Sequence, residues 1–311
     1  MPLRSVQIVG GASYVVTLPK EWVKRHGISK GSKVLVEEGV NGELIVLPAG
    51  VKRSLKSTIL LKGEMQAILR EIFASYLEGY DEIEILGEKG KIIGRAERKA
   101  IKNSLPRFLG MEVVEEESNR IVLKCFLDTS ALDPRELFSR MKGLVSSMFD
   151  DLFRAIRMES KELASLIVDR DDEVDRIYFL IVRLVRKASQ DSYLMKVLKT
   201  NPIELIDLRV AAMLLELIAD RIAELADLFR SGKSLPISRH IEKEFLDLQK
   251  GSIESVIKKD VTLAMRTKDR SQRLVGELSK LTVEDPFESY SLFLLKEIAV
   301  RFGDLCDLVS P

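Results

Sequence analysis

Apolar residues fall along the chain in two rhythms, and the change between them comes near Asp133. Before it, short aliphatic runs are separated by turn residues: RSVQIV, the turn GGA, SYVVTL, SKVLVEE, the turn GVNG and ELIVLP, all within residues 1–50. Such runs predict strands. Between the second and third strands lies PKEWVKRHG, a short helix with Pro19 suited to a first helical position and Gly27 to the residue past its end. Residues 51–130 alternate differently, as β-like STILL, helical EMQAILREIFASYLEG, β-like DEIEILG, helical RAERKAIKNSLPRFLG, and a closing pair MEVVEEE and RIVLKCFLD joined by Ser118-Asn119. That alternation predicts one α+β layer, with no phosphate-cradling glycine motif in it.

From Asp133 onward the period becomes helical, with apolar residues three and four apart over six long segments. Thr200-Asn201-Pro202, Ser231-Gly232-Lys233 and Glu284-Asp285-Pro286 punctuate them. The six helices read as three repeated twice. A shift of 80 residues lays Leu214, Leu215, Ile218, Ala219, Arg221, Leu225, Asp227 and Leu228 on Leu294, Leu295, Ile298, Ala299, Arg301, Leu305, Asp307 and Leu308. The expected organisation is therefore multidomain: a small all-β domain at 1–50, an α+β connector at 51–130 and an all-α six-helix domain of two tandem three-helix bundles at 131–311.

Composition narrows the function. At 311 residues with 46% hydrophobic and 31% charged, the chain is long enough for two or three folded units beneath a charged surface. IYFLIVRLV and VAAMLLELIAD are interrupted by charge well short of a bilayer span, and the N-terminus lacks a signal-type apolar core, so a cytoplasmic protein without membrane insertion is expected. Two distant cysteines, Cys125 and Cys306, offer neither a disulfide framework nor a thiolate site, and are expected in cores. Two histidines are too few for a His-rich metal site or a Ser-His-Asp triad, which disfavours ordinary hydrolase chemistry.

Asp171 and Asp175 stand four apart on one predicted helix, and Glu216 and Asp220 four apart on the next. That spacing places each pair on one helical face, where two facing helices offer four oxygen donors to a hard cation. The alternative is a solvated face answered by Arg170, Arg176 and Arg221. The setting of ELIAD inside the apolar run VAAMLLELIADRIAELA separates these acids from an ordinary surface stripe.

DDEVDRIYFLI, followed by a helix with ELIADRIAELAD, resembles the paired acidic-motif helices of PhoU-type phosphate-uptake regulators over roughly residues 131–311. The resemblance implies a non-enzymatic protein that restrains a phosphate ABC transporter and its signalling. It also implies iron or another divalent cation on Asp171, Asp175, Glu216 and Asp220. The second repeat departs from the pattern: Lys268 and Gln272 stand where the first has Asp171 and Asp175, and Val300 replaces an acid. At most one occupied site per chain is expected, on the first repeat.

The opening GGASYVVTLPKEWVKRHGISKGSKVLVEE has five cations and one anion between Lys20 and Lys33, a local excess in a chain of net charge +1. With Pro19-Lys20, Gly27-Ile28 and Lys30-Gly31 in order, it resembles the swapped-hairpin DNA-binding domains of the AbrB/SpoVT class, although Ser13-Tyr14 stands where that class has an arginine. The resemblance implies a homodimer through interleaved hairpins and duplex DNA as partner, with Arg4, Lys20, Lys24, Arg25 and Lys33 as contacts. By their residues alone, the lysines and arginines could equally form a solvated face, Trp22 and Val23 belong to a core, and His26 finishes the short helix. The combined expectation is a transcriptional regulator coupling phosphate status to gene expression or transporter control. Its rivals are a transporter-accessory protein whose N-domain only dimerises and a metal-dependent hydrolase on the acidic helices.

Overall fold

The computed structural model describes residues 3–38, 42–48, 55–233 and 237–309. The chain divides into two compact units at Ser54. The boundary expected at 50/51 and most of the GVNG turn lie outside the described residues.

The first unit holds two antiparallel hairpins and a short helix: β1 (Gln7–Val9) with β2 (Ser13–Val15), α1 (Lys20–Arg25), and β3 (Val34–Glu38) with β4 (Leu44–Pro48). The turn between β1 and β2 needs positive φ at Gly10 and Gly11 (+63° and +82°), a conformation that side chains with a Cβ resist. Pro19, with φ −61° and ψ 129°, stands just ahead of α1 rather than inside it, and His26 closes the helix by donating its N–H to the Trp22 carbonyl. No described side chain of this unit is fully buried. Trp22 and Val23 are half-buried, while Ile8, Val9, Val16 and Leu44 are 51–72% exposed.

The second unit joins an α+β layer to a helical part. The layer runs β5 (Lys56–Leu61), α2 (Met65–Leu77), β6 (Glu82–Gly87), α3 (Arg95–Ser104), β7 (Met111–Glu116) and β8 (Arg120–Cys125), in sheet order β5-β6-β8-β7. β5 and β6 are parallel because α2 crosses between them, and β8 pairs antiparallel with both β6 and β7. The helix expected through Leu109 stops at Ser104, because Pro106 follows and the chain tightens into a 3-10 turn over Leu105–Arg107. Ile59, Ile83, Ile85, Ile121 and Leu123 face Ile68, Ile72, Tyr76 and Ile101 in the layer's core, and Cys125 joins them.

The helical part consists of α4 (Pro134–Met158), α5 (Lys161–Gln190), a short α6 (Ser192–Val197), α7 (Pro202–Arg230), α8 (Arg239–Lys258), α9 (Val261–Leu278) and α10 (Pro286–Cys306). Two three-helix bundles follow in tandem, α4-α5-α7 and α8-α9-α10, with α7 packed on α10. Asp133-Pro134, Asn201-Pro202 and Asp285-Pro286 start α4, α7 and α10. Each acid or amide caps the backbone N–H of a residue two or three places on, and each proline fills a position that needs no donor. Phe149 of α4 lies edge-on to Phe245 of α8 at 5.4 Å and tilted to Phe302 of α10 at 5.9 Å, so the bundles share one core. The residues matched by the 80-residue shift, Leu214, Leu215, Ile218, Ala219 and Leu225 with their partners in α10, are buried in both repeats.

α5 belongs to both cores. Phe179 through Val185 are all buried, and Phe179 meets Phe73 of α2 edge-on at 4.9 Å. Within that run Arg183 is 0% exposed. Its guanidinium donates to the carbonyls of Tyr76 at 2.7 Å and Tyr80 at 2.9 Å, lies over the Tyr76 ring, and pairs with Asp81 at 3.3 Å. Asp81 also accepts from Lys187 at 2.5 Å and from the Leu55 N–H at 3.1 Å. Removing this one carboxylate strands a buried cation. Asp81→Ala should cost the second unit about 3 kcal/mol, read as a lowered denaturant midpoint; an unchanged midpoint would show that Arg183 needs no anion.

Candidate functional site

α5 and α7 pack side by side in the first bundle, and the four-residue spacing sets Asp171 and Asp175 on one helix against Glu216 and Asp220 on the other. Carboxylate oxygens of Asp175, Glu216 and Asp220 lie within 4.8 Å of one another, all three half-buried. Asp171, one turn away on α5, stands outside that triplet but within its field. Burial and then the charges of Asp220, Asp175 and Asp172 push its carboxyl up to about 7. Glu216 is pushed up to about 7 by burial and then by Asp220, Asp175 and Asp171, with Arg209 opposing. Burial also raises Asp175, helped by Asp220 and opposed by Arg107, and it raises Asp220 against the pull of Arg221.

The arginines expected to answer these acids form no ion pair with them among the described residues. Arg170 pairs with Asp151 at 3.0 Å and Arg221 with Glu224 at 2.9 Å, while Arg176 has a buried Nε without a hydrogen-bond partner among the described residues. The cation that does reach the cluster is Arg107, from the 3-10 turn of the α+β layer, 3.5 Å from Asp175. Its place in the sequence, in SLPRFLG far from the acidic helices, gives no sign of this contact; only the docking of the layer on α5 creates it.

Oxygen-only donors converging at this spacing suit a hard divalent cation, or iron or manganese, rather than a thiolate-seeking metal. The second bundle is different at the corresponding place. There Lys268 of α9 donates to Asp307 at 2.6 Å and to Asp304 at 3.3 Å, both on α10. Gln272 and Val300 line the same groove and leave no carboxylate cluster among the described residues. The helices come close because Gly303 has no Cβ; one built there would sit 2.6 Å from the Ser271 hydroxyl.

In the first unit, Arg4, Lys20, Lys24, Arg25 and Lys33 are all exposed. Lys20 and Lys24 share a face of α1 at one-turn spacing, Arg25 follows them, and Arg4 and Lys33 lie just ahead of β1 and β3.

Residues 138–229, which hold α5, α7 and the whole acidic cluster, match the PhoU domain model. This stretch is similar to PhoU domains. Ahead of it, residues 7–54 match a MazE/AbrB-like domain, described as "antidote-toxin recognition MazE, bacterial antitoxin". The crystal structure of PhoU from Pseudomonas aeruginosa is similar at 19% identity and a TM-score of 0.40, over 57% of this chain and 93% of that one. No curated protein matches the chain. No helix among the described residues is long and apolar enough to cross a membrane.

The raised carboxyls of α5 and α7 set a pH dependence. Asp171 and Glu216 ionise near 3.8 and 4.5 when unfolded but near 7 when folded, so the folded state holds extra protons between those values. Their contribution to stability is complete below the unfolded values and disappears as pH rises through the folded ones. Cation-free protein should therefore lose stability from about pH 4.5 to about pH 7.5, and Asp171→Asn,Glu216→Gln should lose less. Denaturant midpoints with chelator present measure this; parallel curves for the two proteins would refute it.

Proposed function

We propose that the chain is a phosphate-uptake regulator that couples phosphate status to gene expression. The observation that carries this reading is the PhoU domain itself, with its acidic cluster built across α5 and α7. In this reading Asp175, Glu216 and Asp220 hold a divalent cation, with Asp171 beside them, and the domain acts on phosphate-transporter or phosphate-signalling components. Like-charged carboxylates half-removed from water need a counter-cation or protons to coexist. Once bound, iron or manganese would supply that neutralisation and cross-link α5 to α7. The role is regulatory and not catalytic, in line with both matched families.

The first unit supplies the route to gene expression. Its apolar strand residues are exposed on every described strand, which favours completion by a second copy of the same chain. Its α1 carries Lys20, Lys24 and Arg25 into solvent, where a DNA backbone is met by counterion release. Specificity should be modest, since these contacts position and do not read bases.

Two measurements test the reading. Cells of the source organism lacking this chain should take up phosphate without normal restraint when phosphate is plentiful, and unaltered uptake would overturn the phosphate assignment. Separately, Lys20→Ala,Lys24→Ala,Arg25→Ala should weaken duplex binding on all sequences alike, and flatten its dependence on log salt by about 2 to 3 in slope. The dimer should survive, as seen by scattering. Normal binding by the triple variant, or none by the unaltered protein at low salt, would leave the first unit as a dimerisation element only.

A further inference from the structure

We propose that Arg107 is a built-in, removable counter-cation of the acidic site, through which the α+β layer registers whether a divalent cation is bound there. The inference rests on the reading of Asp175, Glu216 and Asp220 as a cation site, and it assigns the layer a part in that site.

The geometry has two halves, one fixed and one free. The backbone of the Leu105–Arg107 turn is clamped on both sides: Leu105 and Phe108 are buried in the layer's core, and Phe108 stacks between Phe73 and Tyr76 at 5.8 and 5.1 Å. The Tyr76 hydroxyl donates to the carbonyl of Leu109 at 3.1 Å, just beyond the turn. Arg107 itself stays 62% exposed, with its guanidinium 5.7 Å from the Phe179 ring and a single contact to Asp175 at 3.5 Å. A long, half-solvated, single-point ion pair is weak. A doubly charged cation that takes the Asp175 oxygens and repels the guanidinium would therefore displace it.

The second bundle shows the contrasting design. Lys268 reaches its acids from within its own bundle and holds two of them, at 2.6 and 3.3 Å, so that place carries a resident positive charge. The first bundle lacks such a lysine. Arg209 and Arg221 of α7 act on its acids only through their field, and the cation ion-paired to the cluster comes from another layer and by one contact, an arrangement suited to exchange. Because coupling is reciprocal, the factor by which a bound cation weakens the Arg107 contact is also the factor by which that contact weakens cation binding.

The experiment uses the full chain and Mn²⁺ as probe, with free Mn²⁺ counted by its paramagnetic resonance signal. Arg107→Gln should bind Mn²⁺ about three- to tenfold more tightly than the unaltered protein, Arg107→Lys should bind like the unaltered protein, and Asp175→Asn,Asp220→Asn should lose binding. On saturation with diamagnetic Mg²⁺, the nuclear magnetic resonance signal of the Arg107 Nε–H in the unaltered protein should move toward that of a free guanidinium, a readout that needs no variant to fold. If binding is lost in the double acid variant, yet Arg107→Gln binds no tighter or the Arg107 side-chain signal does not respond, the Arg107 inference falls and the cation site stands. If neither the unaltered protein nor Arg107→Gln binds Mn²⁺, both fall.

Discussion

A guanidinium with no access to water must find its partners in the protein, and those of the two terminal nitrogens of Arg183 all come from the α+β layer, while its buried Nε has none among the described residues. This contact fixes the second unit. The carbonyls of Tyr76 and Tyr80 and the carboxylate of Asp81 come from α2 and the approach to β6, and the same carboxylate holds the backbone of Leu55, the unit's first residue. Sliding α5 along the layer would leave a buried charge unpaired, at a cost of several kcal/mol. The layer is thus held in register with α5. Asp175 lies eight residues before Arg183, about 12 Å along the same helix, and that register is what brings Arg107 to it.

The two bundles solve one electrostatic problem in two ways. Each has two packed helices that face one another across acidic residues close to an apolar core, and each needs positive charge there. In the second bundle Lys268 supplies it covalently, and Gly303 lets α9 and α10 approach closely enough for the ammonium to reach both Asp304 and Asp307. In the first, four acids gather with one exposed arginine ion-paired to them, and the remaining imbalance is expressed as carboxyls that hold protons toward neutral pH. The asymmetry follows from a few side chains on a repeated backbone, since the core positions of α7 and α10 match one for one.

Helices, caps and the repeat were legible in the sequence because each depends on near neighbours. Asn201-Pro202 and Asp285-Pro286 mark helix starts through local hydrogen bonds, the apolar positions of α7 and α10 repeat at fixed spacing, and the four-residue spacing of the acids fixes their face. The Met111–Cys125 hairpin was readable for the same reason, although its bulge near Val114 was not. The sheet order β5-β6-β8-β7 was hidden, because nothing local determines that β8 inserts between β6 and β7. The partners of charged residues were hidden too. Arg170, Arg176 and Arg221 are near the acids in sequence, yet long side chains pair with whatever the packing brings within reach, and Arg107 arrives from another layer. Arg183 looked like an interruption in the apolar run IYFLIVRLV; its burial follows from α5 being enclosed on both sides, which requires the layer's position to be known.

The first unit poses the opposite problem, too little burial and not too much. Ile8 and Val9 are adjacent on β1 and so point to opposite faces, and both are more than half exposed; Leu35 and Val36 are likewise adjacent on β3, 37% and 56% exposed. A hairpin apolar on both faces is not completed by docking one side on a flat partner. Interleaving with a second copy, as proposed, would cover both faces at once and pair the open strand edges, so the same apolar alternation that leaves the described strands without a buried side chain would supply two chains with a shared core. Two α1 helices related by such a two-fold would carry two sets of Lys20, Lys24 and Arg25, and so would gather on one face far more positive charge than the chain's net charge of +1 suggests.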